Sequence, residues 1–181
     1  FRSPVLMLLG DVPLIRLETL RELIRIHRSK RPVATVLTSE VENPHGYGRI
    51  VRDGLGRVMA IVEELDARPD QKSIREINTG IFIFDPVFLN RQLPRLRREN
   101  RKKEYYVTDL VGFAFEEGLS VEAVTVTDPS EVQGINTRKD LMAAQEILRQ
   151  LTVDELIERG VNVLDARSIY VEPGVSVGAT R

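Results

Sequence analysis

Cysteine is absent from the 181 residues, which excludes disulfides, Cys-based zinc sites and thiol nucleophiles. Histidine is nearly as scarce, and His27 and His45 are too few for a His-rich metal cluster. No apolar run reaches membrane-spanning length and no secretory signal opens the sequence, so membrane insertion is not expected and a cytoplasmic location is. A net charge of −1 leaves nothing in the overall balance for a nucleic-acid partner. What remains is an ordinary globular composition, 42% hydrophobic and 29% charged, long enough for one well-buried core.

The stretch Val5 to Ile15, VLMLLGDVPLI, organises the rest. Val5 to Leu9 is a continuous apolar run, which fits a buried strand of a mostly parallel sheet. Because a parallel strand needs neighbours, this one is either an edge or lacks preceding βα units. Gly10 permits close backbone approach, and Asp11 places a carboxylate just past the strand, where open α/β sheets bind ligands. A hard carboxylate there suits Mg²⁺ held together with phosphate, while the plainer alternative is a turn former or helix cap.

Leu17, Leu20, Ile24 and His27 recur at helical spacing, so a helix is predicted over 17–27, with His27 as a cation near its carboxyl end. Residues 32–41 read as a β-branched strand. Asn43 to Ile50 (NPHGYGRI) is a tight loop in which two glycines free the backbone to bond a polar ligand or simply to turn. Residues 49–52 and 58–62 flank Asp53-Gly54-Leu55-Gly56 as a hairpin. A polar loop is expected over 68–75, then a buried-type strand over 81–84. Asn78, just ahead of that strand, must be locked by the backbone or turned to a ligand.

A helix over 86–100 ends in the basic residues Arg95, Arg97, Arg98, Arg101, Lys102 and Lys103. Without interleaved aromatics these read as a solvated helix end. Another helix opens near Glu104 to Asp109 and stops at Gly118, followed by a strand over 121–126. A third helix carries Leu141, Ala144, Ile147, Leu148 and Leu151 on its apolar side, with Asn136 as its expected cap. A short helical piece over 154–159 leads to a tail where Ile169/Val175 and Val171/Val177 repeat at six residues, the period of a hexapeptide β-helix.

Six stretches in order, GDVPLI, NPHGYGRI, AIVEELDA, EINTGIF, EYYVTD and GINTRKDL, resemble the bacterial bifunctional N-acetylglucosamine-1-phosphate uridylyltransferase / glucosamine-1-phosphate acetyltransferase family. VNVLDARSIYVEPGVSVGA looks like the opening of that family's left-handed parallel β-helix. The resemblance implies an α/β, Rossmann-like nucleotidyltransferase fold over 1–151, partial because its N-terminal βα units are not seen, a linker helix over 152–160, and the first strands of the β-helix over 161–181. It implies that UTP and N-acetylglucosamine 1-phosphate yield UDP-N-acetylglucosamine and pyrophosphate, with Mg²⁺ held by Asp11 and Asn136. One carboxylate and one amide oxygen leave room for water and phosphate oxygens, as Mg²⁺ prefers. Gly48, Glu63 and Asn78 match the residues that bind the sugar, and Tyr106 and Thr108 match those lining its phosphate side. The full-length family protein also acetylates glucosamine 1-phosphate and forms a homotrimer.

Leu9 and Leu65 depart from a tyrosine and a lysine common in the family. The Gly-rich phosphate loop and the base-reading stretch, which the family carries ahead of Asp11, are not found in these residues. An internal piece of the enzyme with little activity alone is therefore expected. A different sugar-1-phosphate nucleotidyltransferase, or a non-catalytic relic that binds sugar nucleotide, are the alternatives.

Overall fold

The computed structural model describes residues 1–172 and 174–178. The chain folds as two compact units, Phe1–Gln133 and Gly134–Arg181.

The first unit is built on a six-stranded mixed sheet. Its elements in chain order are β1 (Val5–Met7), α1 (Leu17–Lys30), β2 (Ala34–Glu40), β3 (Arg49–Arg52), β4 (Val58–Val62), α2 (Pro69–Lys72), β5 (Glu76–Phe84), α3 (Pro86–Gln92), α4 (Asp109–Glu116) and β6 (Val121–Thr125). The strands lie in the order β4-β3-β5-β2-β6, and β1 pairs with the far end of β5. Only β2 and β6 pair in parallel; β5 runs antiparallel to β1, β2 and β3. The expected buried strand over Val5–Leu9 is thus corrected. It spans three residues, pairs antiparallel with Phe82–Phe84, and leaves Leu6, Leu8 and Leu9 exposed.

Both faces of the sheet are apolar, which is why β2 and β5 carry almost unbroken buried runs. On one face Val36, Ile50, Ile61, Phe82 and Phe84 pack against Phe88 and Leu89 of α3 and Leu110, Val111 and Ala114 of α4. On the other, Leu37, Ile81 and Ile83 pack against Leu23 of α1 with Val126 and Val132. The result is a three-layer α/β/α unit.

Several elements differ from expectation for identifiable reasons. The helix expected over 86–100 ends at Gln92 with a 3-10 turn over Leu93–Arg95, because Pro94 lacks the N–H needed to continue it. The polar loop over 68–75 contains one helical turn, opened by Pro69. β5 begins five residues early, taking Asn78 into the sheet. The helix expected to open over Glu104–Asp109 starts at Asp109 itself, and Tyr105 and Tyr106 precede it outside any helix or strand.

His27 is not a solvated cation. It is buried, and its Nδ1 lies 2.9 Å from Thr35 Oγ1 on β2. Burial lowers its pKa below the usual 6.5, with the Asp85 charge acting weakly in the opposite direction.

In the second unit one helix, α5 (Arg138–Glu158), replaces the separate third helix and the short piece after it. Thr137, not Asn136, caps it: its hydroxyl accepts from the Asp140 N–H, and Asp140 Oδ2 accepts from the Asn136 and Thr137 N–H groups. Arg149 holds Glu146 and the Ala166 carbonyl and lies over the Tyr170 ring. The tail forms no strand among the described residues of 161–178, and Pro173 and residues 179–181 of the expected β-helix opening lie outside the described residues.

The unfolded chain protonates His27 near pH 6.5 before the folded chain does, so the fold's stability should be intact above that pH and fall as the pH drops below it. His27→Gln keeps a polar end for Thr35 but cannot ionise. Thermal unfolding from pH 7.5 to 5 should show a flatter decline for the variant than for the parent chain.

Candidate functional site

The sheet brings several expected site residues together around one carboxylate. Glu63 follows β4, and its Oε1 accepts from the Thr108 hydroxyl at 3.1 Å, just ahead of α4. On its other side lies Gly48. A Cβ on Gly48 would stand 3.3 Å from Glu63 Oε1 and 3.2 Å from the Ile61 side chain, so glycine lets the carboxylate lie against bare backbone. The Gly48 carbonyl accepts from the Asn78 N–H at 2.8 Å, which ties the loop before β3 to β5. One hydroxyl, one glycine and one strand edge therefore hold Glu63 in place.

Glu63 and Tyr106 also line a cleft of about 280 Å³ with Asp66, Arg97, Asn100 and Asp109. Gly48, Asn78, Thr108 and Asp11 are not part of that lining. The Tyr106 hydroxyl and Asp66 Oδ2 are buried without a hydrogen-bond partner among the described residues. Burial raises the Tyr106 pKa, helped by the charges of Asp66, Glu63 and Glu104, so its hydroxyl stays protonated and can donate. Asp109 is pushed up by burial and then by Glu63 and Asp66. These carboxylates are not arranged as a metal cluster: no group of three His, Cys, Asp or Glu able to hold a metal occurs among the described residues.

Asp11 sits exposed on the turn after β1. Leu9, two residues before it, lies against Gly80, two residues after Asn78. Asn136 is exposed in the second unit, ahead of α5. The side chains of Asp11 and Asn136 make no hydrogen bond among the described residues, which leaves hard oxygen donors free on both.

Residues 2–129 match the nucleotidyl transferase family. The chain belongs to that family. It is 43% identical over 98% of its length to the "Bifunctional protein GlmU" of Pelobacter propionicus, and 45% identical over 99% to the protein of that name in Geobacter sulfurreducens. It spans 39% and 38% of those two relatives. Among solved structures, a putative glucose-1-phosphate thymidylyltransferase from Bacillus anthracis matches with a TM-score of 0.57 at 17% identity. That match covers 81% of this chain and 55% of the other, and it supports the fold alone. No helix among the described residues is long and apolar enough to cross a membrane.

In this member of the nucleotidyl transferase family, the cleft residues Asp66, Asp109, Arg97 and Asn100 are ones that the sequence does not single out. Asp66 and Asp109 each stand three positions after an expected residue, Glu63 and Tyr106, which was the available signal. Arg97 and Asn100 carried none. The basic cluster around them disperses: Arg95 lies over Phe113 and pairs with Glu117, Arg98 lies over Tyr105 and donates to the Lys103 carbonyl, and Arg97 lines the cleft.

The loop that carries Gly48 is anchored by the neighbour of Glu63. Glu64 accepts from the guanidinium of Arg49 at 2.6 Å and from the Gly46 N–H at 3.2 Å, while Arg49 also donates to the Tyr47 carbonyl. Arg49 is 1% exposed. Its hydrogen bond, then the Gly46 N–H and the charges of Arg49 and Lys72, outweigh desolvation and hold the Glu64 carboxyl below its usual 4.5. That stabilisation should be complete above pH 4.5 and lost as the pH falls below it. Arg49→Leu removes the main partner of Glu64 and unties the loop from Gly46 to Arg49, so the midpoint of urea unfolding should fall. It should also shrink the acid-dependent part that Glu64 contributes, leaving only what the Gly46 N–H and Lys72 supply.

Proposed function

We propose that this chain carries the sugar- and metal-binding part of a uridylyltransferase that makes UDP-N-acetylglucosamine and pyrophosphate from UTP and N-acetylglucosamine 1-phosphate. The observation that carries the reading is the braced Glu63 carboxylate, set between the Thr108 hydroxyl and the bare backbone of Gly48 beside a polar cleft. Membership of the nucleotidyl transferase family and the likeness to proteins named bifunctional GlmU support it. In this reaction an oxygen of the sugar phosphate attacks the α-phosphorus of UTP, and the bond to the β-phosphate oxygen breaks to release pyrophosphate. Positioning and charge neutralisation supply most of phosphoryl-transfer catalysis, so the absence of cysteine is no obstacle.

Each residue then has a physical task. Glu63 accepts hydrogen bonds from the sugar, Gly48 lets the sugar approach the backbone, and Asn78 offers a further polar contact. Thr108 orients Glu63, and Tyr106 donates from the wall that Glu63 shares. A site built to pair sugar hydroxyls discriminates strongly, because an analogue lacking them leaves buried polar groups unpaired.

Asp11 and Asn136 are the proposed ligands of Mg²⁺. Their free, exposed oxygens fit an ion that binds through one or two protein oxygens and substrate phosphates. When bound, Mg²⁺ supplies charge neutralisation at the phosphate oxygens. The wider reading places a nucleotidyltransferase domain over 1–151, a linker over 152–160 and the opening of an acetyltransferase β-helix over 161–181. The full-length protein is then a cytoplasmic homotrimer that also acetylates glucosamine 1-phosphate.

Pyrophosphate release by the full-length protein tests this. Glu63→Ala should raise KM for N-acetylglucosamine 1-phosphate roughly tenfold or more, as expected for a lost charged hydrogen bond, with KM for UTP little changed. Equal losses for both substrates would make Glu63 structural and remove the central support. Separately, Asp11→Ala and Asn136→Ala should each raise the Mg²⁺ concentration needed for half-maximal rate. An unchanged Mg²⁺ profile in either would remove that residue from the metal site.

A further inference from the structure

β5 is not a regular strand. Val36 pairs with Phe82 and Thr38 with Asn78, so two steps along β2 match four along β5 and the extra residues bulge out between them. Gly80 lies in this bulge at φ +80°, a conformation that favours glycine. Two side chains secure it. The Thr79 hydroxyl donates to the Leu37 carbonyl at 2.7 Å and accepts from the Ile81 N–H. The Gly80 N–H donates to Asn78 Oδ1 at 3.0 Å, and the Leu9 side chain covers the Gly80 Cα.

The last bond has a chemical consequence. A backbone N–H can be met only by the oxygen of a carboxamide, so the bulge decides which way the Asn78 amide points. Oδ1 is committed to the main chain, while Nδ2 has no protein partner among the described residues. We propose that Gly80 is a positioning residue that makes Asn78 a donor-only contact in the sugar site. Asn78 then selects a ligand oxygen that accepts, such as a carbonyl or hydroxyl oxygen, and disfavours a group that can only donate. Glu63 has the opposite polarity, since a carboxylate only accepts. The two residues together read both senses of hydrogen bonding on a polyhydroxyl ligand. This rests on the sugar-binding reading above.

The bulge also bears on Leu9. A side chain at position 80 would meet Leu9 Cδ1 at 2.5 Å, so the residue leading to Asp11 sits on the bulge that orients Asn78. The bulge thereby joins the turn after β1 to β5 by packing, without a polar contact.

Nuclear magnetic resonance on the ¹⁵N-labelled chain tests the latch without needing ligand. The Asn78 side-chain amide, assigned by its loss in Asn78→Asp, should have an order parameter like the rigid backbone, about 0.85, and not below about 0.6 as in mobile groups. In Asn78→Ala the Gly80 amide should exchange with solvent about tenfold faster or more, as expected for loss of one hydrogen bond, with Phe82 unchanged. In Asn78→Asp, which keeps an acceptor for Gly80, its protection should persist. A mobile Asn78 amide, or Gly80 exchange unmoved in Asn78→Ala, would overturn the proposal. Addition of N-acetylglucosamine 1-phosphate then separates the latch from the reading beneath it. An ordered amide whose Nδ2 resonances shift with this sugar phosphate, and about tenfold weaker binding by Asn78→Asp, is the expected result. An ordered amide that ignores the sugar phosphate would keep the latch, sink the sugar-site reading, and with it overturn the selectivity assigned to Asn78.

Discussion

The placement of β5 against three other strands is the constraint on which this unit depends. Its far half pairs with β1 and β2, and its near half with β2 and β3. Through those ladders it supports the turn bearing Asp11, the loop bearing Gly48 and its own Asn78. β5 and β4 run opposite to β1, β2, β3 and β6, and helices packed on both sides of the sheet account for its two apolar faces. Ile81 and Ile83 serve the core under α1, while Phe82 and Phe84 stack at 5.2 Å in the core under α3 and α4. Alternation fixes which residues go to which face, and a slip of one residue would exchange the two cores. The bulge at Gly80 is tolerated because Thr79 and Asn78 satisfy its backbone from both sides.

Glu63 and Glu64 show how neighbouring identical groups come to differ. Glu64 meets a buried guanidinium and a backbone N–H, so its charge is spent inside the protein and the loop from Gly46 to Arg49 is held to the end of β4. Glu63 meets a neutral hydroxyl, which satisfies one lone pair of one oxygen and leaves the rest of the carboxylate available. A structural ion pair and a site carboxylate thus stand next to each other, on successive residues. Arg49 performs its role from a nearly fully buried position, where only a well-paired charge is tolerable.

Much of this was legible in the residues, and the failures have physical causes. The hairpin over 49–52 and 58–62 was read to the residue, because its turn chemistry and alternation agree. The strand over 81–84 was found but its start was missed, since Glu76 and Asn78 are polar yet paired through their backbones, and pairing leaves no mark on composition. Val5 to Leu9 looked buried because apolar runs do not distinguish a central strand from an edge. His27 looked like a surface cation because its partner, Thr35, is supplied by a strand that only the fold brings near. Of the site, Gly48, Glu63 and Thr108 are singled out by the family resemblance alone, and in the fold Glu63 lies against Gly48 and accepts from Thr108. The cleft wall was not legible, because Arg97 and Asn100 come from a charged loop whose course depends on where α3 stops.

That cleft wall carries the clearest conflict between stability and use. Two polar atoms, Tyr106 Oη and Asp66 Oδ2, are buried with no partner among the described residues. Each such atom costs about 1–3 kcal/mol, a penalty that a sequence selected for folding alone would remove. Phenylalanine would fill the Tyr106 position without the orphaned hydroxyl. Three carboxyls, Glu63, Asp66 and Asp109, also crowd the same cleft, where burial and then the charges of Glu63 and Asp66 raise the Asp109 pKa. Ser39 Oγ on β2 and Arg49 Nε at the start of β3 are also buried without a partner among the described residues, so the cleft is set apart by its crowded carboxyls. Three carboxyls gathered along one cleft, in a unit whose two cores are almost wholly apolar, fit the polar ligand proposed above.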